Sequence, residues 1–320
     1  MDIPKPGFEI GPCEEMLFVG SCFADNIGAR FLEEKFRAIV NPFGVMYNPA
    51  SILHTIERMI QGDGSFVTSS AGNVTKEPSP CINVTPSITF LTLGTNHVYR
   101  LKETGEIVDN CQKRPQSLFT EEELTVDECV DYLRQTVALL RQMNPEMNIV
   151  LTVSPIRYRK YGYHGSRLSK ATLLLAIDKL TKVLPLSRGS QRGAEPLQNH
   201  NLDQTTPNPS YSGGELGPCS GGEVVYFPAY ELINDDLRDY RFYKPDMLHP
   251  SDQAVEYIWQ RLSEVYLSAE AKAFLKEWAP LKAVLHHKPF DPQSADYKAL
   301  MDKTMLKIAE LQKKYPTFAP

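Results

Sequence analysis

Short apolar runs separated by amphipathic stretches set the rhythm of this chain. Segments 16–20, 88–93, 147–153 and 223–228 are nearly continuous in hydrophobic residues, and each ends in glycine, proline or a small polar residue. A strand buried on both faces reads this way, whereas a half-exposed strand alternates. Between the runs, residues 24–38, 121–143 and 167–183 repeat apolar positions at helical spacing, with Val130, Leu133, Val137, Leu140 and Met143 marking one such face. Ala38-Ile39-Val40 adds a further strand that enters the turn Asn41-Pro42-Phe43-Gly44, followed by Asn48-Pro49 and a helix from Ala50. The alternation predicts β-α-β units with right-handed crossovers, hence an α/β fold on a mostly parallel sheet of about five strands.

Two stretches break the rhythm. Residues 61–87 and 185–222 are rich in Gly, Ser, Thr, Pro and Asn with little apolar periodicity, and both are expected to be loops. Beyond them, helices are expected over 251–267, 270–278 and 294–314, the first with a broad apolar face of Ala254, Val255, Ile258, Trp259, Leu262, Val265 and Tyr266. The organisation expected is one domain over 1–290 with loop-rich insertions near 61–87 and 185–222, and a helical extension over 291–320.

Composition narrows the partners. Of 320 residues, 42% are hydrophobic, enough for a sizeable core, and 34 basic against 39 acidic residues leave a net charge of −5. That balance offers no footprint for nucleic acid or an anionic membrane, so a small-molecule or glycan ligand is expected. No window reaches the roughly 18 apolar residues of a membrane span, and the N-terminal residues lack a signal-peptide core, which predicts a cytoplasmic protein. The six cysteines are scattered, without a C-x-x-C pair or histidines at metal-finger spacing. Free thiols are expected, and no metal or organic cofactor.

Candidate chemistry gathers at strand ends. Met16-Leu17-Phe18-Val19-Gly20 breaks off into Ser21-Cys22 and then turns helical, a buried strand delivering a nucleophile to the amino end of a helix. Either Ser21 or Cys22 is placed to attack an acyl carbon. Far along the chain, Asp246-Met247-Leu248-His249-Pro250-Ser251 precedes a helix. The Asp-x-x-His spacing lets Asp246 orient His249 as a general base, although Asp246 and Ser251 could instead cap the helix beside a loop histidine. Gly44 and Asn96, in the turns Asn41-Pro42-Phe43-Gly44 and Gly94-Thr95-Asn96, are candidate oxyanion donors, and Arg157 is a candidate for holding a substrate carboxylate or carbonyl.

Gly20-Ser21-Cys22-Phe23-Ala24 resembles the motif from which the GSCFA family takes its name. Asn41-Pro42-Phe43-Gly44-Val45 with Tyr47-Asn48-Pro49, Leu93-Gly94-Thr95, Thr152-Val153-Ser154-Pro155, Phe227-Pro228-Ala229-Tyr230 and Asp246-Met247-Leu248-His249-Pro250 extend the likeness in order, over about residues 8–60, 88–183 and 223–270. The chain departs from the family pattern at 61–87, which is short and polar here, and at 185–222. The family is similar to the SGNH (GDSL-like) hydrolases, which implies a three-layer α/β/α sandwich and acyl-ester hydrolysis or transfer on a glycan or small metabolite. Overlaying the Gly-Asp-Ser turn of those enzymes puts Cys22 in the nucleophile's place, while serine chemistry points to Ser21. A protein that keeps this fold only to bind a carbohydrate or peptide is the other reading.

Overall fold

The computed structural model describes residues 1–62, 85–109, 114–184 and 221–315, with the backbone of two further strands at 66–70 and 73–77. In chain order the elements are β1 (Glu15–Gly20), α1 (Cys22–Glu33), β2 (Arg37–Val40), α2 (Pro49–Gln61), the hairpin β3 (Phe66–Ser70) and β4 (Asn73–Glu77), and β5 (Ile88–Leu93). Next come β6 (His97–Leu101), β7 (Ile107–Val108), β8 (Phe119–Glu123), α3 (Val126–Met143), β9 (Asn148–Val153), α4 (Gly162–Val183) and β10 (Val224–Tyr226). The chain closes with α5 (Ala229–Glu231), α6 (Asp252–Tyr266), α7 (Ala269–His286) and α8 (Ala295–Lys314).

The five apolar runs form one sheet of order β10-β9-β5-β1-β2, parallel at every pairing. Successive residues of a strand face opposite ways, so each run feeds two cores. Met16 and Phe18 of β1 join Phe90 and Val150 beneath α1, α6, α7 and α8; Leu17 and Val19 join Leu91, Ile149 and Leu151 beneath α2, α3 and α4. The result is a three-layer α/β/α sandwich. Its strand order is the flavodoxin-like one, in which the chain reverses direction across the sheet between β1 and β5. Ligands of such sheets bind outside the carboxyl ends of the strands at that point.

Elsewhere the structure departs from the expected outline. The 61–87 stretch, expected as loop, contains the antiparallel β3–β4 hairpin, and 185–220 lies outside the described residues. The helix expected from residue 121 begins at Val126, because Phe119–Glu123 pairs as β8 with β6 in a small antiparallel sheet with β7. A capping box then starts α3, with the Thr125 side chain accepting from the Glu128 N–H while the Glu128 carboxylate accepts from the Thr125 N–H. At the C-terminus, α8 is no loose appendage: Ile308, Leu311 and Tyr315 are buried in the same core as Phe274 and Trp278 of α7. Cys13, Cys22 and Cys129 are free, whereas Cys81, Cys111 and Cys219 lie outside the described residues. Among the described residues, no helix is long and apolar enough to cross a membrane.

Candidate active site

The turn at the end of β1 is held by contacts that leave little freedom. Gly20 has φ +148°, and a Cβ there would stand 2.2 Å from the Thr92 carbonyl oxygen of β5, so only glycine fits. The Asn41 side chain, itself on a left-handed residue (φ +41°), accepts the Gly20 N–H at 2.8 Å and donates to Asp25 at 2.5 Å. This one amide ties the end of β1 to the first turn of α1. Asn41 was visible in the sequence only as part of a turn motif.

Ser21 and Cys22 differ in their surroundings. Ser21 is fully buried and caps α1, its hydroxyl oxygen accepting the Phe23 N–H at 3.3 Å. Cys22 is the first helical residue and is half-buried, close to the Tyr47 hydroxyl. Burial, followed by the charge of Asp25, pushes the Cys22 thiol above its usual value, against the pull of its own backbone N–H and of Tyr47. A helix head can instead lower a thiol. Here desolvation prevails, so the resting group is a thiol.

Asp246 and His249 come together as the sequence suggested. The Asp246 Oδ1 accepts the N–H groups of Leu248 (2.8 Å) and His249 (3.0 Å), and its Oδ2 meets the His249 Nδ1 at 2.6 Å. Those two N–H groups, with the imidazole, hold the Asp246 carboxyl at about 2. Met247, at φ +61°, makes the reversal that lets one carboxylate reach all three partners. Ser251 alone caps α6. The Leu248 carbonyl accepts the N–H of Arg157, which follows β9, and thereby fixes the histidine loop to the carboxyl edge of the sheet. No hydrogen bond links His249 to Ser21 or Cys22 among the described residues.

The expected oxyanion donors are otherwise engaged. The Gly44 N–H closes a turn on the Asn41 carbonyl at 2.8 Å, and the Asn96 amide, buried, donates to the Leu124 carbonyl at 2.7 Å. Two tyrosines that the sequence did not single out stand nearer the thiol. Tyr47 and Tyr158 meet edge to face with ring centres 6.0 Å apart. The Tyr158 ring is half-buried, but its hydroxyl is fully enclosed and has no hydrogen-bond partner, 2.2 Å from where a Cβ on Gly94 would be. Burial, with Cys22 and Tyr47 adding to it, pushes the Tyr158 phenol well up, so the hydroxyl keeps its proton. An enclosed donor without an acceptor is costly to maintain, and such groups gather where a ligand atom completes them.

Beyond Tyr158 lies a cleft of about 290 Å³ between the β9 turn, the head of α4 and the segment after β10. Arg157 lines it, with its guanidinium 3.8 Å above the Tyr243 ring. Lys170 of α4 lines it too, buried, its ammonium donating to the Gly94 carbonyl at 2.6 Å. Burial pushes that ammonium well below the ordinary lysine range.

These features define an α/β/α sandwich protein with a thiol, a capping serine and an Asp-His pair set along the carboxyl edge of a parallel sheet. The chain belongs to the GSCFA family, whose pattern matches residues 15–72, 83–187 and 219–262, and residues 278–319 match the GSCFA domain protein, C-terminal domain. No curated protein matches it in sequence. Among solved structures it is similar to a carbohydrate esterase family 3 from Talaromyces cellulolyticus, at 10% identity and a TM-score of 0.36, over 82% of this chain and 99% of that one. It is also similar to an acetyl esterase serine-to-alanine mutant with acetate ion, at 11% identity and a TM-score of 0.32, with the same coverage. Scores this low define neither fold nor activity.

Proposed function

We propose that this protein is an SGNH-like acyl-ester hydrolase or acyltransferase acting on an acylated glycan or small metabolite, with Cys22 as its nucleophile. The observation that carries the reading is the division of labour at the β1 turn. Ser21 is consumed as a helix cap while Cys22, half-buried, stands as the first residue of α1, at the switch point of a sheet whose edge also holds an Asp-His pair.

In this scheme the Cys22 sulfur forms a bond to the acyl carbon as its proton passes to His249. Asp246 fixes the tautomer by accepting from Nδ1, which leaves the other ring nitrogen to take the proton. His249 returns it to the leaving alkoxide as the C–O bond breaks. Water or an acceptor hydroxyl then cleaves the thioester and restores the thiol. The Cys22 N–H at the head of α1 and the Tyr158 hydroxyl serve as donors to the oxyanion in place of Gly44 and Asn96. A raised thiol fits this order of events, because the base removes the proton during attack. The unmade Cys22–His249 contact is one that substrate must tighten, as catalytic hydrogen bonds commonly do.

The test is intact-mass spectrometry after exposure to p-nitrophenyl acetate, on wild type and on Ser21→Ala, Cys22→Ala and His249→Ala. Wild type is expected to gain an acetyl group that disappears in Cys22→Ala and forms about 10²-fold or more slowly in His249→Ala. An adduct that survives Cys22→Ala but not Ser21→Ala would reassign the nucleophile. Neither adduct nor turnover in wild type would leave the carbohydrate- or peptide-binding reading.

A further inference from the structure

The cleft at the head of α4 is charged in one sense only. Arg157, Arg167 and Lys170 line it with Tyr163, Tyr230 and Tyr240, and no aspartate or glutamate does so among the described residues. Neither arginine has a carboxylate within 4 Å among the described residues, although the chain has 39 acidic residues. Arg157 instead lies over tyrosine rings, and Arg167 reaches only the Tyr230 hydroxyl at 3.5 Å. Glu231, which follows Tyr230 in the chain, is held by the Tyr226 hydroxyl through both oxygens, at 2.9 and 2.7 Å. Two guanidinium forks and a buried lysine therefore face a cavity with no anion supplied by the protein.

We infer that this cleft is a subsite for an anionic sugar, whose carboxylate or phosphate is taken by Arg157 and Arg167 and whose ring packs against the exposed Tyr163 and Tyr240. A guanidinium presents paired N–H donors that match either anion, and both tyrosines are more than half exposed. The volume, about 290 Å³, is at the lower end of small-molecule sites and suits one ring rather than a chain of them. Lys170 borders the subsite and also holds the Gly94 carbonyl beside Tyr158, so a sugar anchored here extends its ester toward Cys22. The inference deepens the acyl-ester reading by naming the substrate class as acidic sugar esters, and rests on that reading for the direction in which the ester points.

Titration calorimetry on the full chain with D-glucuronate, D-glucose 6-phosphate and D-glucose tests it without any turnover. At least one of the two anions is expected to bind tenfold or more tightly than glucose, which also tells a carboxylate site from a phosphate site. Arg157→Gln and Arg167→Gln are each expected to lower that preference by about tenfold, as loss of a hydrogen bond to a charged group does. Arg167 is exposed, so its variant keeps the fold. Equal binding of all three, binding of none, or a preference that survives both substitutions overturns the inference. Cys22→Ala retains the preference, so a failure to acylate in wild type beside intact anion binding removes the enzyme reading and leaves the subsite standing.

Discussion

At Cys22 two opposing fields meet, and their balance is measurable. The helix head favours an anion, while burial first and the Asp25 carboxylate second disfavour it. The alkylation rate of the Cys22 peptide should therefore rise with a midpoint above the ordinary thiol value of about 8.5. Asp25→Asn removes one of the two opposing causes and should move the midpoint down, speeding alkylation at pH 8; an unmoved midpoint would mean that Asp25 does not act on the sulfur. Residues differ in how visible such roles were in the sequence. Asp246 and His249 are three positions apart and speak for themselves. The sequence left Ser21 and Cys22 both open as nucleophile, because an N-cap serine and a nucleophilic serine occupy the same place in a strand-to-helix turn. Tyr47 appeared only within the Tyr47-Asn48-Pro49 motif and Tyr158 carried no signal, since they come from turns after different strands and meet only in three dimensions.

Elements were legible in proportion to how deeply they are buried. The five parallel strands stood out as continuous apolar runs because both faces of the sheet are covered. β8 was read as the start of a helix, since Thr120–Glu123 is polar and exposed along most of its length and has no apolar run to declare it. One tight joint between elements is where β1 leaves β5. Gly20→Ala forces a Cβ against the Thr92 backbone, which cannot yield, in addition to straining a left-handed residue. Urea unfolding should show a loss of about 1–3 kcal/mol or more. Gly44→Ala is the control: its φ of +91° carries strain, but no heavy atom lies within 4 Å of the new Cβ. It should cost less than Gly20→Ala, and the reverse order would disprove the steric account.

Across the whole molecule, the two faces of the sheet are covered by different parts of the chain. α2, α3 and α4 close one core, whereas the other needs α6, α7 and α8 in addition to α1. Leu311→Ala, in the last helix, should therefore destabilise the entire domain by about 2–5 kcal/mol in a single cooperative transition rather than melt α8 alone. A separate low-temperature step would instead mark α8 as an independent unit. The same division sets an order in time. Emerging from a ribosome, the chain has most of the first core once Val183 is made, lacking chiefly Val224 of β10, but Phe18, Phe31 and Phe90 on the opposite face wait for helices that begin at Asp252. At roughly 5–20 residues per second, that aromatic surface stays open for several seconds. Nascent-chain chaperones have their natural target there, and the histidine at the head of the late-arriving helices means that the site is finished only as that surface is being closed.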